Sequence, residues 1–118
     1  MLSADTVFKA IAHPARREII SLLSHSARSV KEITAEFAMS QPAISQHLKE
    51  LRAAHLVASE RVGLEQRYRL TPKPLRYVVD WSEPYRSLVD PSGHAWAFVQ
   101  VSKTENKPRK KERPRNGS

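Results

Sequence analysis

The chain has 118 residues, 40 % of them apolar and only 7 % aromatic, which fits one small domain with a modest core of Leu, Ile, Val and Ala. It has no cysteine, which excludes disulfides, thiolate metal sites and cysteine redox switches and makes a reducing cytoplasm the expected compartment. The net charge of +8 points to an anionic partner. Residues 102–118 carry seven Lys/Arg against two Glu, however, and residues 1–101 carry thirteen Lys/Arg against ten Asp/Glu, so most of the excess lies in the tail.

The start, MLSADTVFKAIAHPARR, has no charged leader followed by an apolar block, so no secretory signal is expected. No apolar run approaches the roughly 20 residues of a membrane helix. Ala4, Val7, Phe8 and Ile11 recur at i, i+3, i+4 and i+7 and predict a first amphipathic helix with Ser3 as N-cap. His13-Pro14 interrupts it, since the residue before a proline is pushed from the helical region while proline suits a new first turn. A second helix is expected from Pro14 to about Ser24, burying Ile19, Ile20, Leu22 and Leu23. His25 to Arg28 reads as a loop.

Ser29-Val30-Lys31-Glu32 has the form of a capping box and opens a third helix with Val30, Ile33 and Phe37 facing inward. A break at Ala38-Met39-Ser40 follows, then Pro42 near the first turn of a helix ending around Ala54. Ile44, Leu48 and Leu51 form its inner row, while Gln41, Ser45, Gln46 and Lys49 form a polar outer face without acid before Glu50. Two short helices joined in this way match the helix-turn-helix pattern.

Two β-prone runs, Val57 to Val62 and Gln66 to Leu70, are hinged at Gly63-Leu64-Glu65 and predict a hairpin whose Arg67 and Arg69 point outward. Pro72 and Pro74 end it. A last helix from Leu75 carries Val78, Trp81, Tyr85 and Leu88 on one side, and Pro84 inside it should kink or split it. His94 to Val101 reads either as a strand or as a packed extension. Thr104 to Ser118 is charged, proline-bearing and aperiodic, the composition of a disordered tail.

The order helix, helix, helix-turn-helix, hairpin, helix resembles the ArsR/SmtB-type winged helix-turn-helix repressors of bacteria. FKAIAHPARREIISLL (Phe8 to Leu23), VKEITAEFAMSQPAISQHLKELRAAHLV (Val30 to Val57) and YRL (Tyr68 to Leu70) carry the likeness over roughly the first 90 residues. DWSEPYR (Asp80 to Arg86) is similar to the last helix of a cysteine-free branch. The resemblance implies a mainly α winged helix-turn-helix fold of about five helices with a two-stranded wing. It also implies a homodimer formed through the first and last helices that binds an operator and represses transcription. Residues 1–90 are then the DNA-binding and dimerisation domain, 91–101 an extension and 102–118 a basic tail. Val7, Phe8, Ile11, Leu75, Val78, Trp81, Tyr85 and Leu88 are the expected dimer contacts.

A helix fits the major groove, where its outer residues must offer donors and acceptors to bases and phosphates. Gln41 and Gln46 each present the donor–acceptor pair suited to adenine, Ser45 serves either kind of group, and Lys49 is better placed for phosphate. Ser40 at the N-cap leaves backbone amides that favour a phosphate. The resemblance puts Ser40, Gln41, Ala43, Ser45, Gln46 and His47 at or near DNA. Ala43 can at most touch a thymine methyl, and His47 either reaches a phosphate or packs beside the turn.

The opposing reading of the same face is a solvated helix surface capped by serine. In the wing, Arg61 and Arg67 are the expected backbone contacts. Leu64 and Glu65 stand at the tip where relatives often carry arginine, and Arg69 fits a solvated face equally well. Arg16 and Arg17 occupy a first turn whose dipole disfavours cations. A carboxylate such as Asp5 or Glu18 is the structural compensator, and a DNA phosphate the functional one.

No histidine lies between His55 and His94, and the five histidines lack ligand spacing, so neither a metal nor another cofactor is expected, an interprotomer site using His94 being the alternative. No Ser/His/Asp set, phosphate loop or paired carboxylates suggest an enzyme. The expected partners are double-stranded DNA and a second copy of the chain, with no membrane. The competing classes are a winged-helix protein-interaction module and a nonspecific architectural DNA binder.

Overall fold

The computed structural model describes residues 2–90. The expectations for residues 91–101 and for the tail 102–118 lie outside the described residues. The described residues fall into two units, divided between residues 79 and 80.

In the first unit, α1 (Ala4–Ile11) starts where the Ser3 hydroxyl accepts from the Thr6 amide at 3.3 Å. α2 (Pro14–Leu23) has proline in its first turn, and the His13 ring caps it by accepting from the Ala15 amide at 3.3 Å. The capping box at α3 (Val30–Thr34) is complete. Ser29 Oγ accepts from the Glu32 amide at 3.1 Å, and Glu32 Oε1 accepts from the Ser29 amide at 2.9 Å. α4 (Gln41–Ala53) begins with Ser40 Oγ accepting from the Ala43 amide. It ends in a Schellman motif, with Leu56 N–H on the Leu51 carbonyl and His55 N–H on that of Arg52, both at 2.9 Å. His55 takes the left-handed position there, at φ 61°.

The helix-turn-helix connection is longer than expected. α3 stops at Thr34, and residues 35–40 rather than 38–40 form the break. The Thr34 hydroxyl donates back to the Val30 carbonyl at 2.7 Å, and the Glu36 and Phe37 amides make tight three-residue bonds to Ile33 and Thr34. This tightening still packs Phe37 and Met39 against the core.

The sheet also departs from the expected two strands. β1 (Arg28–Ser29) pairs antiparallel with β3 (Glu65–Leu70), which pairs with β2 (Val57–Val62), giving the order β1-β3-β2. Capping explains the extra strand. An N-cap residue is extended, and Ser29 at φ −80°, ψ 166° lies alongside Arg67. The wing turn closes over two residues, because Val62 is opposite Glu65. Gly63 has φ +65°, as the first central position of a type II′ hairpin turn requires.

The core consists of Val7, Ala10, Ile19, Leu23, Ile33, Ile44, Leu48, Leu51, Ala54, Leu56 and Val57. Ile20, Leu22 and Val30, expected as buried, are only partly so. Val7 is 0 % exposed within its own chain, which removes it from the expected dimer contacts. Ile11, Leu75 and Val78 are partly buried against the same core.

The predicted last helix is split as its proline requires. α5 (Arg76–Ser82) gives way to a 3-10 turn over Glu83–Tyr85 and then to α6 (Arg86–Val89). In the second unit Trp81 and Tyr85 stack obliquely with centroids 5.7 Å apart, and Arg86 pairs with Glu83 at 3.5 Å. No described helix is long and apolar enough to cross a membrane.

Candidate nucleic-acid interface

The fully buried Ile44, Leu48 and Leu51 orient α4. A helix that buries those positions must turn Gln41, Ser45, Gln46 and Lys49 outward, and all four are exposed. Gln46 Nε2 donates to Glu50 Oε2 at 3.1 Å, an exposed contact within one helix face. Ala43 and His47 sit half-buried at the edge of the outer face, and Ser40 is occupied as the cap.

His47 is tied to the α1–α2 corner. Its Nδ1 accepts from Arg16 Nε at 3.2 Å, and its ring lies 4.4 Å from that of His13. Partial burial, then the neighbouring His13 and Arg16, push its pKa below the ordinary 6.5. Of the two expected placements, the structure has His47 packed beside the turn.

Arg16 and Arg17 find their compensation in carbonyls rather than in the expected carboxylate. Arg17 donates to the Ile11 and Ala12 carbonyls at 2.9 and 3.2 Å, and Arg16 reaches the Ala10 carbonyl at 3.5 Å. The negative end of the α1 dipole thus offsets the positive end of α2.

The wing presents two unlike faces. The register places Ser59, Arg61, Gln66 and Tyr68 on one side and Glu60, Glu65, Arg67 and Arg69 on the other. Arg67 and Arg69, expected to point outward together, do share a face, and they share it with two carboxylates. Arg61 is exposed and makes no ion pair among the described residues. Arg67, the other expected backbone contact, is held by Glu32 at 3.2 Å, Glu65 at 3.1 Å and the Ala27 carbonyl at 3.0 Å. Two carboxylates and a carbonyl hold its Nη1 and Nη2, so the guanidinium fastens the wing to the start of α3.

Ser45, Lys49, Arg52 and Ala53 share one stripe of α4 and line an open groove with Tyr68 of β3. Arg52 and Tyr68 were not among the expected site residues. The spacing of Ser45, Lys49 and Arg52 was a signal that could have found the first of them. Among the described residues no group of three or more His, Asp or Glu is arranged to hold a metal.

A family model described as "Bacterial regulatory protein, arsR family" matches residues 13–59, the span from α2 into β2. The HTH-type transcriptional regulator Rv2034 of Mycobacterium tuberculosis is 35 % identical over 99 residues, covering 77 % of this chain and 92 % of that protein.

The chain belongs to the ArsR family.

Its ArsR-family core is shared with the HTH-type transcriptional repressor SmtB of M. tuberculosis, at 40 % identity over 77 residues. That match covers 65 % of this chain and 57 % of SmtB. An ArsR-like transcriptional regulator from Rhodococcus sp. RHA1 superposes with a TM-score of 0.62 at 27 % identity, over 89 % of this chain and 93 % of that one. The winged helix-turn-helix fold of this ArsR-family member therefore carries DNA-binding transcriptional regulation, a non-enzymatic activity.

Proposed function

We propose that the protein is a repressor that acts as a homodimer on a near-palindromic operator. Its two α4 helices enter successive major grooves about 34 Å apart, and repression follows from occlusion of the promoter. One observation carries this reading: the outer face of α4 offers amides, a hydroxyl and a cation to the outside, backed by a fully buried apolar row.

On this reading Gln41 and Gln46 read adenine edges, Ser45 bonds to a base or phosphate, and Ala43 meets a thymine methyl. Gln46 exchanges its exposed contact with Glu50 for the base. The Ser40 cap and the first amides of α4 approach a phosphate, as do Lys49 and Arg61. His47 and Arg67 act from behind, the first by seating α4 against the α1–α2 corner, the second by seating the wing. The tail 102–118 adds salt-sensitive attraction without sequence preference.

Exposed apolar side chains support the homodimer. Trp81, Tyr85 and Leu88 are 61, 47 and 76 % exposed, a row that a second copy would cover. Phe8, Ile11, Leu75 and Val78 remain as further contacts.

Footprinting on duplexes selected from a random library tests the proposal. A discrete footprint with two-fold symmetry is expected. Uniform protection would favour an architectural binder, and no protection at all a protein-interaction module.

A further inference from the structure

The groove lined by Ser45, Lys49, Arg52, Ala53 and Tyr68 has a volume of about 380 Å³ and lies open between α4 and the wing. Lys49 and Arg52 stand three residues apart on the exposed stripe of α4, the spacing at which two helical side chains converge on one group. Ser45 adds a hydroxyl one turn before Lys49, and the half-buried Tyr68 provides a phenol on the opposite wall.

Two cations and no carboxylate line this groove. The wing face to which Tyr68 belongs carries Arg61 and no carboxylate, whereas Glu60 and Glu65 lie on the reverse face. Among the described residues, Arg67 and Arg86 are paired with carboxylates, and Arg16 and Arg17 are held by backbone carbonyls. Lys49, Arg52 and Arg61 have no ion-pair partner there. Lys49 and Arg52 thus line, without an ion-pair partner among the described residues, a groove that also offers two neutral O–H donors, a set suited to the oxygens of a phosphodiester.

We propose that this groove seats a backbone phosphate of duplex DNA, with Lys49 and Arg52 as its cations and the Ser45 and Tyr68 hydroxyls as its donors. The inference rests on the reading of α4 as the recognition helix and adds Arg52 and Tyr68 to its contacts. The groove is too open to desolvate a free anion. A polyanion whose neighbouring groups are held by the rest of α4 delivers a phosphate there without that handicap. Contacts of this kind fix register on the duplex and carry no sequence information.

Binding of the full chain to a mixed-sequence 30-base-pair duplex and to the footprinted operator, followed by anisotropy across a salt series, tests the seat. Arg52→Ala should reduce the slope of log K against log salt by about 1 and weaken both duplexes by the same factor. Arg52→Lys should restore the slope. Tyr68→Phe, which keeps the ring and its packing, should weaken both duplexes roughly 3- to 10-fold. A wild-type slope in Arg52→Ala, with discrimination still lost in Gln46→Ala, overturns the seat and leaves the recognition helix standing. Absence of binding by the unmodified chain overturns both. Inorganic phosphate should compete no better than chloride at equal ionic strength; saturable binding of inorganic phosphate with no Arg52 effect on either duplex overturns the assignment to the DNA backbone.

Discussion

Arg67 and Glu32 meet across 35 residues of chain, the wing guanidinium donating at 3.2 Å to the Oε1 that also accepts the Ser29 amide. One carboxylate oxygen therefore closes the cap of α3 and fastens the wing. The Ser29 hydrogen bond, and then Arg67, hold the Glu32 carboxyl below its ordinary 4.5 against an opposing contribution from desolvation. A depressed carboxyl contributes stability that is complete above the unfolded value and disappears as pH falls through the lower folded one. Glu32→Gln should flatten the stability profile below about pH 4.5, and hydrogen exchange at β1 and β3 should quicken. Unchanged exchange in the wing would show that the tether does not restrain it.

His47 supplies the other pH dependence. Its Nδ1 is an acceptor for Arg16, so the imidazole is neutral in this arrangement, and its pKa lies below 6.5. The unfolded chain binds the proton more readily, so stability rises with pH between the folded and unfolded values and is fully present above 6.5. Thermal melts of the unmodified chain should therefore fall as pH drops below about 6.5, and His47→Gln should remove that part of the slope. A melting temperature that rises on acidification through this range would contradict the arrangement.

The two faces of α4 should respond oppositely to truncation. Leu48 is fully buried, and Leu48→Ala should lower unfolding free energy by about 2–5 kcal/mol. Its exposed neighbour Lys49 should tolerate alanine within about 0.5 kcal/mol while losing affinity for DNA. Urea denaturation of both variants alongside duplex binding separates the two effects.

Two backbone positions test the turn assignments. A Cβ on Gly63 would meet nothing within 4 Å, so the penalty of Gly63→Ala is conformational alone, about 1 kcal/mol at φ +65°. His55 holds the left-handed residue of the Schellman motif with a side chain, so His55→Gly should stabilise by a few tenths to about 1 kcal/mol. Equal signs for the two substitutions would be incompatible with these conformations.

Local signals made most of the fold legible. Ser3, Ser29 and Ser40 cap their helices as their positions suggested, and Pro84 divides the last helix for the backbone reason its chemistry supplies. β1 escaped because two residues are too short to show alternation. Thr34 gave no sign that α3 would end there. The polar row of α4 was legible because the buried row at 44, 48 and 51 dictates it. The role of Arg67 was not, since Glu32 and Ala27 lie 35 and 40 residues away. Val7 shows a second limit: periodicity marks an apolar face without saying whether its own chain or a partner covers it.

The claim at the centre is that the amide face of α4 reads bases, and the most direct measurement is the ratio of operator to mixed-sequence affinity for the unmodified chain and for Gln46→Ala at one fixed salt concentration. Loss of a bidentate base contact should lower the operator affinity by about 1–3 kcal/mol and leave the mixed-sequence affinity unchanged. An unaltered ratio in Gln46→Ala, with the protein still folded, would contradict base reading by this side chain.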